Sequence, residues 1–132
     1  MKEIAIQFGQ SLDKDEFHLT KKLLSQDCKY IIGEEVLIGP ENICQSYEQN
    51  MIKGRKKLDI LEWGQSRIEP ISNSKFYVHF TDYLTHKEEK YTHRCKQKLW
   101  VNEDRLISKI EHIHDQEEQG RLNEYYKKVG LK

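Results

Sequence analysis

The sequence predicts an α+β fold, with helices segregated on one face of an antiparallel sheet. Three observations carry that expectation. Phe76 to Leu84 and Tyr91 to Val101 alternate with a period of two, as strands do when one face lies on a core. Gly39-Pro40-Glu41-Asn42 opens a stretch in which Ile43, Cys44, Tyr47 and Met51 recur at helical spacing; proline suits a first helical turn because its missing N–H has no partner there. Gln116 to Val129 sets Leu122, Tyr125, Tyr126 and Val129 on one stripe, with Gly130 after it.

In chain order, residues 2–11 predict a first helix around Ile4, Ile6, Phe8 and Leu12. Asp13-Lys14-Asp15-Glu16 reads as the start of a second, since acids in a first turn complement the helix dipole. That helix places Phe17, Leu19, Leu23 and Leu24 inward and ends near Lys21 and Lys22. Cys28 to Ile32 is a short strand, Gly33-Glu34-Glu35 a turn, and Val36 to Ile38 pairs back. The helix opened by Pro40 stops at Gly54, a natural C-terminal residue. Lys57 to Glu69 reads as one long strand, bulged near Leu61, because Ile60 and Leu61 cannot both face inward on a regular strand. After a turn at Pro70 to Ser74 come the two alternating strands, joined around Lys87-Glu88-Glu89. Asn102-Glu103-Asp104 turns the chain into a last strand, Leu106 to His114, before the tail helix.

Composition bounds the function. A chain of 132 residues fits one domain, residues 1–132. Lys plus Arg balances Asp plus Glu at 22 each, which argues against a nucleic-acid or membrane-surface partner. The basic cluster Lys53-Gly54-Arg55-Lys56-Lys57 is short, lacks interleaved aromatics and reads as a solvated turn. No apolar run approaches the ~18–20 residues that span a bilayer, and no signal segment follows Met1. The three cysteines, Cys28, Cys44 and Cys95, are odd in number and widely spaced, as expected of reduced thiols in a cytoplasmic protein. No cofactor motif is present.

The candidate site comes from the alternation. Arg94, Lys96 and Lys98 fix the wet face of their strand, so Tyr91, His93, Cys95, Gln97, Leu99 and Val101 face the core. Val78, Phe80 and Leu84 do the same for Asp82. Across a hairpin turning at Lys87 to Glu89, Asp82 and His93 fall opposite one another or one diagonal apart. A carboxylate beside an imidazole orients it and suits general acid–base work; a buried, satisfied pair is the bland alternative. Tyr30, Tyr47, Cys95, Gln97 and His112 are the candidate ligand contacts. Tyrosines at such positions are otherwise core residues with the hydroxyl at a rim partner, and Cys95 is otherwise an inert buried thiol. His112 and His114 share a face, but a metal site needs further ligands, so none is assigned. Trp63 offers a flat surface for a ligand. Trp100 lies on the charged outer face beside Lys98, as an aromatic at a subunit contact would, and predicts a homodimer.

Several stretches resemble the nuclear transport factor 2-like superfamily, and within it the SnoaL-like group. Leu12-Asp13-Lys14-Asp15-Glu16-Phe17 with Leu23-Leu24-Ser25-Gln26-Asp27-Cys28 is similar to the family's opening helix-to-strand passage. Ile38-Gly39-Pro40-Glu41-Asn42-Ile43 resembles its glycine-initiated third helix. Asn102-Glu103-Asp104-Arg105-Leu106-Ile107, with Asp115 eight residues on, looks like its final hairpin and last strand, and Tyr125-Tyr126-Lys127-Lys128-Val129-Gly130-Leu131 matches a common tail. The order and spacing of these motifs, over residues 3–131, carry the resemblance. It implies a cone: a curved antiparallel sheet with the N-terminal helices on its concave face, a C-terminal helix, and a pocket for small, often apolar molecules. In the steroid isomerase branch the general base would stand near Ile31 or Ile32 and the hydroxyl donor near Gln7 or Phe8. This chain has neither a carboxylate nor a tyrosine there. Three function classes follow: a module binding an unknown small molecule in a semi-polar pocket, a lyase- or isomerase-type enzyme using Asp82 and His93, and a structural domain whose cone is filled.

Overall fold

The computed structural model describes residues 1–132. Four helices and seven strands follow in the order α1 (Lys2–Asp13), α2 (Phe17–Lys22), β1 (Leu24–Ile32), β2 (Glu35–Ile38), α3 (Pro40–Lys57), β3 (Ile60–Trp63), β4 (Arg67–Pro70), β5 (Lys75–His86), β6 (Glu89–Val101), β7 (Ile107–Ile113) and α4 (Gln116–Lys128). The expected α+β cone is present. Its sheet runs β2-β1-β7-β6-β5-β3, with β4 also on β5. It is mixed, because β1 and β7 pair in parallel while every other pairing is antiparallel. Register shifts in β1 between Leu24 and Lys29, and in β6 at Trp100, bend the sheet as bulges do.

The helices differ from expectation in instructive ways. Asp13 ends α1 instead of starting α2; the chain reverses through Lys14 to Glu16, with Asp15 at φ 57°. On α1 the buried stripe is Ile4, Ala5, Phe8, Gly9 and Ser11, and Ile6 faces water. Helical spacing puts residue 6 opposite that stripe. Gly9 is small by necessity, since a Cβ there would stand 2.3 Å from Ser66 Oγ. On α2 the buried side chain is Thr20, which shares a 2.6 Å hydrogen bond with Ser11, while Leu19 is exposed. Leu23 caps that helix, and Leu24 already belongs to β1, which starts well before Cys28.

Gly54 does not end α3; the helix runs on to Lys57. A Cβ at residue 54 would lie 2.5 Å from Leu61 Cδ2, so the glycine lets helix and strand approach. Lys57 to Glu69 is likewise not one bulged strand. It breaks at Gly64-Gln65-Ser66, so that β3 pairs with residues 82–85 of β5 and β4 with residues 76–79. The Gly64 N–H still reaches the Thr81 carbonyl at 2.8 Å. Two apolar clusters result. The larger holds α1, α3 and the sheet centre together through Phe8, Ile43, Val78, Leu99, Ile107 and Ile110. The smaller fastens α4 over the end of the β5–β6 hairpin through Leu58, Leu84, Leu122, Tyr125 and Val129. The site lies between them.

Candidate functional site

A cavity of about 270 Å³ opens between the sheet, α3 and α4, lined by 19 residues of which 12 are hydrophobic. Asp82 and His93 meet on its wall as direct register partners across β5 and β6. The next pair along the same face is Phe80 with Cys95, then Val78 with Gln97, as period-two alternation dictates. Tyr47 enters from α3, with Asn50 and Met51 beside it; Leu122 and Tyr126 close the space from α4.

Burial pushes the Asp82 carboxyl up to about 6; the charge of His93 opposes that and the charge of Asp13 adds to it. No hydrogen bond contributes at Asp82. A carboxylate held in a largely apolar wall without donors is costly to ionise, and it titrates where acid–base work near neutrality needs it. His93 turns its Nδ1 the other way and donates to Glu118 Oε2 at 2.8 Å. Tyr91 donates its hydroxyl to the same oxygen, and Arg121 holds the other oxygen at 3.0 Å. Burial works to raise the Glu118 carboxyl, but these three donors outweigh it and hold it below the ordinary glutamate value.

Behind the wall runs a hydrogen-bonded chain. Tyr47 donates to Gln97 Oε1 at 2.7 Å, and Gln97 Nε2 donates to the Tyr30 hydroxyl at 2.9 Å. Burial raises both phenols above their usual range, so they act as neutral donors and acceptors. Burial, with a smaller effect from Asp82, pushes the Cys95 thiol up to about 12; a protonated thiol is a poor nucleophile. At the α1 end, Asp13 accepts the Ser66 N–H at 2.8 Å, and burial raises its carboxyl. Asp15 accepts from Trp63 Nε1 at 2.7 Å and from Arg55 at 2.8 Å.

Of the residues singled out in the sequence, Asp82, His93, Tyr47, Cys95, Gln97 and Trp63 line this cavity. Tyr30 does not; it is buried behind Gln97. His112 does not either. It lines a second, polar cleft of about 480 Å³ with His114, Arg67, Arg94 and Lys96, which His93 and Cys95 also border. Its register partner Gln97 takes the wall position, one strand nearer β5. Burial lowers the His112 imidazole, and His114 and His93 add to that. No third His, Cys, Asp or Glu converges on this histidine pair as a metal ligand would.

Sequence reasoning missed Asp13 and Glu118. Asp13 was hidden by its acidic run, which mimics a helix start. Glu118 had a signal: it stands four residues before Leu122, on the same stripe as Tyr125 and Val129. A carboxylate on a buried stripe asks for a partner.

No family model matches this sequence, and no characterised protein matches it. Solved structures match the fold. A protein assigned as a SnoaL-like polyketide cyclase from Shewanella denitrificans superposes with a TM-score of 0.69 at 7% identity, covering 94% of this chain and 96% of its own. TerC, co-crystallised with polyporic acid, gives 0.68 at 13% identity, covering 92% and 96%. An LEH-like epoxide hydrolase from M. tuberculosis gives 0.63 at 14% identity, covering 90% and 85%. The chain has the nuclear transport factor 2-like fold. At such identities the likeness is one of architecture, and the chemistry rests on the side chains of this chain.

Proposed function

We propose that the protein binds a small, largely apolar molecule in the cone cavity, with a polar group of that molecule meeting Asp82. The observation that carries this is Asp82 itself: a carboxyl on the cavity wall, pushed up to about 6, with no hydrogen bond from the protein. Asp82 is half-buried and its oxygens are not sealed off, so they open into the cavity where a ligand can meet them. The cavity also speaks against a filled cone, since 12 hydrophobic side chains surround about 270 Å³. That the similar folds include polyketide-cyclase-like and epoxide-hydrolase-like proteins fits either binding or catalysis.

The second reading is an enzyme of lyase or isomerase type, with Asp82 and His93 as the acid–base pair. Their direct register opposition and the near-neutral Asp82 favour it. Tyr47, Cys95 and Gln97 would then contact substrate, while Tyr30 positions Gln97. Titration with 4-phenylbutan-1-ol, followed by tryptophan emission because Trp63 lines the cavity, tests the binding reading. Saturable quenching is expected, with its loss in Met51→Trp, which fills the space. Binding that survives the filled cavity would place the ligand elsewhere and overturn it.

Two further properties belong to this reading. A homodimer through the outer face of β5 and β6 is supported by Trp100, a half-buried ring flanked by Lys98 at 4.8 Å and Lys109 at 4.4 Å. A cytoplasmic setting is supported by three unpaired cysteines. No helix is long and apolar enough to cross a membrane.

A further inference from the structure

We infer that the molecule taken by the cavity is an organic cation, a protonated amine on a short apolar body, with its ammonium group at Asp82. The inference rests on the binding reading above and adds the ligand's charge. Asp13 and Asp82 are the acids among the lining residues, His93 is the single basic one, and no lysine or arginine lines the space.

The two arginines nearby are already committed, while Lys14, whose charge favours the ionised Asp13, and Lys57, over Tyr126, stay outside the lining. Arg55 pairs with Asp15 at 2.8 Å, and Arg121 with Glu118 at 3.0 Å. His93 directs Nδ1 to Glu118; its charge still favours the ionised Asp82, but it gives Asp82 no hydrogen bond. Two carboxylates facing one poorly solvated space raise each other's cost of ionisation, and a cation between them removes it. A carboxylate ligand would add to the repulsion, and a neutral ligand would leave it in place.

The apolar lining points the same way. Phe17, Tyr47, Trp63 and Phe80 supply aromatic rings to the cavity, whose faces attract cations. At the rim this attraction is visible: the Arg55 guanidinium lies over Trp63 at 5.6 Å and the Lys57 ammonium over Tyr126 at 4.2 Å, and neither cation belongs to the lining. A volume of about 270 Å³ lies just under the usual range of ~300–1,000 Å³ for ligand sites, so the body is small. No three donor side chains converge as metal ligands, which leaves an organic ammonium as the fitting cation.

The test compares three probes that differ only in their terminal group: 4-phenylbutylamine, 4-phenylbutan-1-ol and 4-phenylbutanoate, titrated by calorimetry at neutral pH. The amine should bind at least about tenfold tighter than the alcohol, the ratio one modest ion pair supplies, and the carboxylate should bind weakest. Asp82→Asn should abolish the preference for the amine. Equal affinity for amine and alcohol in the unaltered protein would overturn the charge assignment and leave the binding reading standing. No saturable binding of any of the three would overturn both. The primary comparison uses unaltered protein, so its outcome does not depend on how the variant folds.

Discussion

Glu118, on the C-terminal helix, lies 2.8 Å from Nδ1 of His93 on the sheet. The contact ties α4 to the wall of the cavity it closes. The same carboxylate also accepts from Tyr91 and Arg121, so one buried side chain satisfies three donors. Its removal should be felt throughout the α4 end of the cone.

Glu118→Ala should therefore destabilise the protein by about 1–3 kcal/mol, the usual cost of leaving buried donors unpaired. The sign with pH follows from the direction of its shift. The folded carboxyl titrates below the ordinary value of 4.5, so the stabilisation is present above that value and is lost as pH falls through the folded pKa. Urea unfolding of both proteins should show a gap that is widest at neutral pH and narrows below about pH 4.5. A gap independent of pH would mean that the carboxylate's charge plays no part.

The thiols give a second prediction. Burial pushes Cys28 up to about 12, Cys44 to about 11 and Cys95 to about 12. At pH 8 the folded protein should react slowly with a thiol reagent at all three positions, since the thiolate is the reactive form. Unfolding without reductant should release three reactive thiols, matching the three free cysteines. Recovery of a single thiol would reveal a disulfide and remove the argument for a reducing compartment.

The parts of the fold that were legible were those set by local periodicity. The β5–β6 hairpin, with Asp82 facing His93, follows from alternation on both strands and a turn whose Lys87 and Glu88 take positive φ. The helix opened by Gly39-Pro40 was equally clear. What escaped was decided by contacts between distant segments. Gly54 reads locally as a helix stop, yet it is there because Leu61 presses on it. The break at Gly64 to Ser66 carries no strong turn signal; it arises where Ser66 answers Asp13 and where α1 crosses at Gly9. His112 has the right facing residue, but register alone does not say that Gln97 takes the wall position. The parallel β1–β7 pairing joins segments some eighty residues apart, beyond the reach of any local pattern.

The outer sheet face gives a third prediction. Trp100 is held between the ammonium groups of Lys98 and Lys109, and Tyr77 lies under Lys96 at 4.5 Å. The half-buried aromatics of this face supply the ring type enriched at subunit contacts, and zero net charge offers little long-range repulsion. Light scattering at tens of micromolar should give the mass of a dimer, and Trp100→Glu should give a monomer with unchanged circular dichroism. A monomer for the unaltered protein would remove the dimer.

The last prediction follows from the position of Asp82. Its folded carboxyl titrates near 6, against an ordinary aspartate value of 3.8. Between those values the folded state holds a proton that the unfolded state has released, so stability falls as pH rises through this window. Below it, both states are protonated and the cost is absent. Above it, both are ionised and the folded state carries the full penalty of a charge in a largely apolar wall. Asp82→Asn keeps the shape and removes that charge. At pH 7.5 it should be more stable than the unaltered protein by about 1–3 kcal/mol, and the advantage should fade as the pH approaches 4. The same substitution should remove the preference for an ammonium ligand. A residue whose replacement strengthens the fold while weakening recognition is retained for the ligand. If Asp82→Asn is instead less stable at pH 7.5, Asp82 serves the fold, and the cavity would have to be reassigned to other residues.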